Sequence, residues 1–98
     1  MRTQPEKPSA EVPALQSAIS PGQASALQVQ VVKLQQEIEK RILHLSHEWL
    51  SPSQRGTLEG ARGFLQSSLK AIQESDYQRA FNLATKADQL VTSLEQSH

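Results

Sequence analysis

Two histidines and a glutamate near the middle of the chain are the residues best suited to metal chemistry. His44, His47 and Glu48 are spaced i, i+3 and i+4, so a helix would carry all three on one face. Imidazoles at this spacing can chelate a divalent metal, and a carboxylate can add a ligand. A structural site needs a fourth ligand, for which the sequence offers only unspecific carboxylates. We therefore expect ordinary polar-face residues and no bound metal. A small metal-binding carrier or sensor that uses the His44/His47 region is the alternative function.

The other polar residues do not indicate catalysis. Catalytic carboxylates usually have displaced pKa values inside a dry cleft. The acidic residues here are instead spaced for solvated helical pairs with basic ones: Lys33–Glu37, Glu37–Arg41, Arg55–Glu59 and Lys70–Glu74. No serine has a Gly-x-Ser-x-Gly setting, and the absence of cysteine excludes disulfides, thiol catalysis and cysteine-ligated zinc. We predict a protein that is not an enzyme and needs no cofactor.

Three glycines and one tryptophan are the candidate protein-interaction residues. Gly56, Gly60 and Gly63 form one strip on a helix, although each glycine costs roughly 1 kcal/mol relative to alanine there. Gly60 lies about 160° around the helix from Leu58, so the strip largely opposes the leucine face. We expect the strip to admit another helix; the alternative is a loose, exposed stretch. Trp49 is expected to close one end of the bundle, whereas an exposed Trp49 would be a binding anchor.

Repeated helix-start motifs define the elements that carry these residues. Ser20-Pro21-Gly22-Gln23 and Ser51-Pro52-Ser53-Gln54 each place a capping serine before a proline, with a glutamine three residues after the serine. Ser75-Asp76-Tyr77-Gln78 is a weaker third copy. These motifs predict helices over about 21–49, 52–74 and 77–95.

Apolar residues recur with a helical period in all three segments, and none alternates as a strand would. The predicted core positions are Leu27, Val31, Leu34, Ile38, Ile42, Leu45 and Trp49 in the first helix, Leu58, Ala61, Phe64, Leu65, Leu69 and Ile72 in the second, and Tyr77, Ala80, Phe81, Ala84, Ala87, Leu90, Val91 and Leu94 in the third. Val29, Val32 and Leu43 widen the first stripe, as expected for a helix that contacts two partners. Because the connections are short, neighbouring helices must be antiparallel. The predicted fold is all-α, a three-helix antiparallel up-down-up bundle.

A flexible, disordered arm is predicted over residues 1–19, before a bundle over 20–98. Pro5, Pro8 and Pro13 disfavour both helix and strand, and few large apolar groups offset the entropy of ordering. A linker is the main interpretation, and a peptide ligand or stalk is the alternative. No apolar signal core follows Met1, so an exported protein would already have lost its signal peptide.

Charge and hydropathy argue against two classes of partner. Ten Lys and Arg residues balance ten Asp and Glu residues, whereas nucleic-acid binders usually carry a basic excess. No apolar run approaches the roughly 20 residues of a transmembrane helix. About 75 ordered residues bury only a small hydrophobic core. We therefore expect the chain to bind a protein partner, which would bury more surface, and self-association would do so in the same way.

Residues 74–87 resemble the middle of a tetratricopeptide repeat, in which a short turn carrying Asp-Tyr leads into a helix with alanines at close-packing positions. Tyr77, Ala80 and Ala87 fit that pattern. The second helix is longer than the first helix of such a repeat. Ser67 and Ser68 also replace its preferred leucine and glycine. The resemblance implies a helical hairpin.

The stretch 50–94 also resembles helical hairpins of uncharacterised bacterial envelope proteins, including lipoproteins. The likeness lies in Ser51-Pro52-Ser53-Gln54 and in residues 76–87, with Ser75 in place of a turn glycine. It implies the bacterial periplasm or envelope and no assigned activity. The leading prediction is a non-catalytic protein-interaction or structural helical module.

Overall fold

A computed structural model describes residues 21–97, which form three α-helices in an antiparallel up-down-up bundle. Helix α1 covers Pro21–Ser46, α2 covers Pro52–Gln73 and α3 covers Tyr77–Ser97. This part of the chain contains no strand, and none of its helices is long and apolar enough to cross a membrane. The predicted all-α class is confirmed. The arm predicted over residues 1–19 lies outside the described residues.

The start of α2 has the predicted capping box. The Gln54 backbone N–H donates to the Ser51 hydroxyl at 3.1 Å, and the Ser51 backbone N–H donates to the Gln54 side-chain oxygen at 2.9 Å. Pro52 occupies the first turn, where its missing donor leaves no hydrogen bond unmade. Local sequence therefore determines where α2 begins.

The turn between α2 and α3 corrects the predicted cap of the third helix. Ser75 has a left-handed backbone with φ of 62°, and its N–H and that of Asp76 donate to the carbonyls of Ile72 and Ala71, both at 2.9 Å. This is the Schellman arrangement that ends many helices, usually with glycine at the left-handed position. Because Ser75 is used to end α2, Asp76 caps α3 by accepting from the Arg79 N–H at 3.2 Å.

Helix α1 ends at Ser46, whereas the sequence predicted about residue 49. The N–H groups of His47 and Glu48 donate to the carbonyls of His44 and Leu45, and the chain then leaves the helix. Trp49 consequently lies off the apolar stripe of α1 and is 81% exposed, while Leu50 is buried in its place. The prediction that Trp49 closes the bundle end is wrong.

The core is tightest between α2 and α3, which share the largest interface of the bundle, whereas α1 and α2 share the smallest. Small side chains permit this close packing, and they are fully buried: Ala61, Ala71, Ala80, Ala84 and Ala87. Leu69, predicted to be in the core, is 43% exposed, and the neighbouring Ser68 is buried instead. The side of α2 that faces the core is therefore centred nearer Ser68 than Leu69, because only a small side chain fits between the closely packed α2 and α3.

A buried polar pair joins all three helices. The Gln35 side-chain amide of α1 donates to the Ser68 hydroxyl of α2 at 2.9 Å, and that hydroxyl donates to the Ala80 carbonyl of α3 at 2.6 Å. Both side chains are buried. Buried polar groups need such partners, so this chain of hydrogen bonds fixes the level of each helix relative to the others.

Arg41 fixes α1 on α3. Its guanidinium donates to Glu95 through Nε at 3.0 Å and Nη2 at 2.7 Å, and to Asp88 through Nη1 at 2.6 Å. Nη2 also donates to the Thr92 hydroxyl. The side chain predicted to pair with Glu37 along α1 therefore reaches across to α3. The bidentate hydrogen bonds from Arg41 lower the pKa of Glu95.

Candidate functional site

The histidines do not assemble a metal site with other residues of the described chain. His44 and His47 are exposed, and His47 and Glu48 lie beyond the end of α1. The His44 Nε2 atom is 3.9 Å from a Glu48 carboxylate oxygen. Within residues 21–97, no three His, Cys, Asp or Glu side chains converge as metal ligands. In this part of the chain, the alternative of a metal-binding carrier or sensor is therefore supported by no more than two neighbouring side chains, His44 and Glu48.

The glycine strip is open surface. All three glycines are exposed, and a Cβ added at Gly56 or Gly63 would have no neighbour within 4 Å. At Gly60 the added Cβ would lie 3.6 Å from the Leu90 Cδ1 atom, an ordinary van der Waals contact. No helix of the bundle uses the strip for close approach. Docking of another chain there stays a prediction.

An open apolar depression lies between α1 and α2, the helix pair with the smallest interface. It has a volume of about 490 Å³. We call it the α1–α2 groove, and the residues that line it are Glu39, Lys40, Ile42, Leu43, Arg62, Leu65, Gln66 and Leu69. Leu43 of α1 is 60% exposed and Leu69 of α2 is 43% exposed. Two large apolar side chains, one from each wall, are thus left partly exposed.

The groove also contains an unsatisfied hydrogen-bond donor. The Arg62 Nε atom is buried and has no hydrogen-bond partner. Its nearest carboxylate, Glu59 on the same helix, lies at 3.4 Å without hydrogen-bond geometry. A buried N–H without an acceptor costs free energy, and the ion pair with Glu59 offsets part of that cost.

The apolar surface continues along α1 beyond the groove. Val29 is 59% exposed, and at 100° per residue it lies within about 40° of Leu43 around the helix. The sequence already indicated a wide apolar surface on α1, because Val29, Val32 and Leu43 widen its stripe beyond what contact with one partner needs. The sequence could not show which of these side chains α2 would cover. Trp49, the fourth candidate interaction residue, stands apart at the end of α1.

Comparison with known protein families, curated sequences and solved structures finds no match to this chain. The tetratricopeptide and envelope-protein resemblances therefore gain no support from a relative. The surface of the bundle itself is the basis for assigning a function.

Proposed function

We propose that this chain is a non-catalytic protein-interaction module whose α1–α2 groove receives a helical surface of another polypeptide chain. The observation that supports it most directly is the pair of partly exposed leucines, Leu43 and Leu69, on opposite walls of an open groove. Helix-in-groove binding uses such apolar walls to hold side chains spaced three or four residues apart.

The expected occupant follows from the chemistry of the walls. Its apolar side chains would contact Leu43 and Leu69, and its polar side chains would lie beside the exposed Lys40 of the groove lining. Completing the burial of one leucine side chain contributes at most about 1.5–3 kcal/mol, and association itself costs several kcal/mol. The groove therefore suits a moderate-affinity contact that extends along α1 towards Val29.

Site-specific photo-crosslinking in the native cells tests this proposal. A photoreactive amino acid replaces Leu43 or Leu69, and another replaces Gln89, an exposed residue of α3, as the control. We expect protein adducts from the two groove positions and none from the control. The adduct formed at position 43 should disappear when Leu69→Glu is added and persist when Gln89→Glu is added. Equal adducts from all three positions, or none from the groove, would refute the proposal.

We also propose that the module works in the bacterial envelope, on the resemblance carried by residues 51–54 and 76–87. Fractionation of cells that express the native gene, with immunodetection of the chain, tests this location. Recovery in the periplasmic or membrane fraction is expected. Recovery with the cytosolic marker alone would show the location to be wrong.

A further inference from the structure

We infer that the buried hydrogen bond between Gln35 and Ser68 selects the register of α1, its position along the hairpin that α2 and α3 form. It excludes a second register, in which α1 is displaced by one helical turn towards its own C-terminus and Leu27 takes the place of Val31. The inference does not depend on the proposed binding at the groove. Three features support it: the length of α1, the place of the polar pair in the core and the spread of the partners of Arg41.

Helix α1 extends past the end of the α2–α3 hairpin. The hydrogen bond places Gln35 and Ser68 at one level, and α2 ends at Gln73, five residues further on, which is the level of residue 30 in α1. The first nine residues of α1, about 14 Å of helix, therefore lie beyond the end of α2. No side chain of residues 22–30 is buried. In the observed register the hairpin leaves these first turns of α1 uncovered.

The apolar stripe of α1 continues into the uncovered turns. Leu27 precedes Val31 by one turn and packs, half-buried, against the end of the core at Val31, Ala71 and Ala80. A displacement of one turn, about 5.4 Å, would bring Leu27 to the level of Val31. Leu45 would leave the other end of the core as the last turn of α1 uncoiled to reach α2. Because one leucine replaces another, apolar burial distinguishes the two registers only weakly.

The polar pair distinguishes the two registers clearly. Gln35 and Ser68 are the buried polar side chains of residues 21–97, and they lie between the two apolar clusters of the core. A one-turn displacement would carry the Gln35 amide about 5.4 Å away from the Ser68 hydroxyl, to the level of Leu65. A buried donor that loses its acceptor costs free energy, which disfavours the displaced register. A buried polar residue fixes the register of coiled coils in the same way.

The other contacts of α1 do not make this distinction. The Arg41 guanidinium binds Asp88, Thr92 and Glu95, which are spread over two turns of α3. A one-turn displacement moves Arg41 towards Glu95, so that ion pair can still form. The contact between α1 and α2 resists sliding least, because it is the smallest interface of the bundle. The hydrogen bond from Gln35 to Ser68 is therefore the contact that specifies the register.

Distances between two spin labels, measured by double electron–electron resonance in the full-length chain, test the inference. The chain has no cysteine, so labels attach only where cysteine is introduced. Gln30→Cys and Ser93→Cys label exposed positions on α1 and α3 that lie about 20 Å apart along the bundle. The displacement shortens that separation by about 5 Å. Labels introduced by Ser67→Cys and Ser93→Cys report on α2 and α3, whose relative position should not change.

Two variants should change the register. In the apolar variant, Gln35→Leu with Ser68→Ala, the hydrogen bond is absent, and the population with the shorter distance should rise about tenfold. In the exchanged variant, Val31→Gln with Gln35→Val, glutamine meets Ser68 only after the displacement, so the shorter distance should predominate. The control variant, Gln28→Leu with Ser67→Ala, makes the same changes at exposed positions and should keep the original distance.

Each outcome decides for or against the inference. A single, unchanged distance in an apolar variant that is still helical by circular dichroism overturns it, and so does an original distance that predominates in a helical exchanged variant. If only the exchanged variant loses its helices, the apolar variant decides. Loss of helix in both variants would show that the pair is needed for folding rather than for register. A shorter distance in the control variant would overturn the inference as well, because sliding would then be independent of the buried pair.

Discussion

Removal of the Ser68 hydroxyl should destabilise the bundle by more than the loss of one small polar group suggests. Ser68 is fully buried, and its hydroxyl is both the acceptor for the Gln35 amide and a donor to the Ala80 carbonyl. In Ser68→Ala the Gln35 N–H remains in a place closed to water and has lost this acceptor. The substitution therefore leaves a buried donor unpaired while creating almost no cavity.

The magnitude follows from two opposing effects. A buried donor left without its partner costs about 1–3 kcal/mol, and the better helix propensity of alanine returns about 0.5 kcal/mol. We expect the free energy of unfolding to fall by about 1–2 kcal/mol. For a domain of this size, each kcal/mol of lost stability lowers the Tm by roughly 4–8 °C.

Thermal and urea unfolding followed by circular dichroism measures the change, at a protein concentration that keeps every variant monomeric. The matched control is Ser67→Ala, the same substitution at the neighbouring exposed position, which should change stability by less than about 0.5 kcal/mol. Ser68→Ala combined with Gln35→Leu removes both polar partners and should recover most of the lost stability. Equal stabilities for the two serine variants, or a double variant as unstable as the sum of its parts, would refute the reasoning.

Four further substitutions test other parts of the fold. Gly63→Ala and Gly60→Ala should each raise the free energy of unfolding by up to about 1 kcal/mol, because neither added methyl meets an obstacle; a lower Tm for Gly60→Ala would show that the strip is packed. Ser75→Gly should raise the Tm by relieving the left-handed backbone at φ of 62°, a conformation that costs about 1 kcal/mol for a residue with a Cβ; an unchanged or lower Tm would contradict this. Arg41→Met should lower stability at neutral pH by about 1 kcal/mol, a value reduced for the partial exposure of the ion pair. Because the folded pKa of Glu95 is lowered, the stabilisation it contributes is present above its ordinary pKa of 4.5 and is lost as the pH falls through the folded value. The stability difference between the unmodified chain and Arg41→Met should therefore narrow below that pH, and a constant difference across acid titration would count against the ion pair.

Local sequence signals predicted the features that are determined within one or two helical turns. The capping box at Ser51 and Gln54 specifies the start of α2, because both of its hydrogen bonds join residues three apart. Helical periodicity likewise predicted buried positions such as Ile38, Leu58 and Val91. Each of these lies on a stripe whose direction depends only on the 3.6-residue repeat.

Tertiary packing decided which flank of each stripe faces the neighbouring helix. The apolar pattern of α2 predicted that Leu69 would be buried. In the structure Ser68 is buried in the narrow contact with α3, and Leu69 lies partly exposed on the wall of the groove. Arg41 had an acidic residue at the correct spacing on its own helix, yet it binds Glu95 of α3. The groove itself exists because α2 packs more closely on α3 than on α1. A sequence records what each side chain prefers, but the relative rotation and spacing of helices depend on all three surfaces packing together, which no single segment contains.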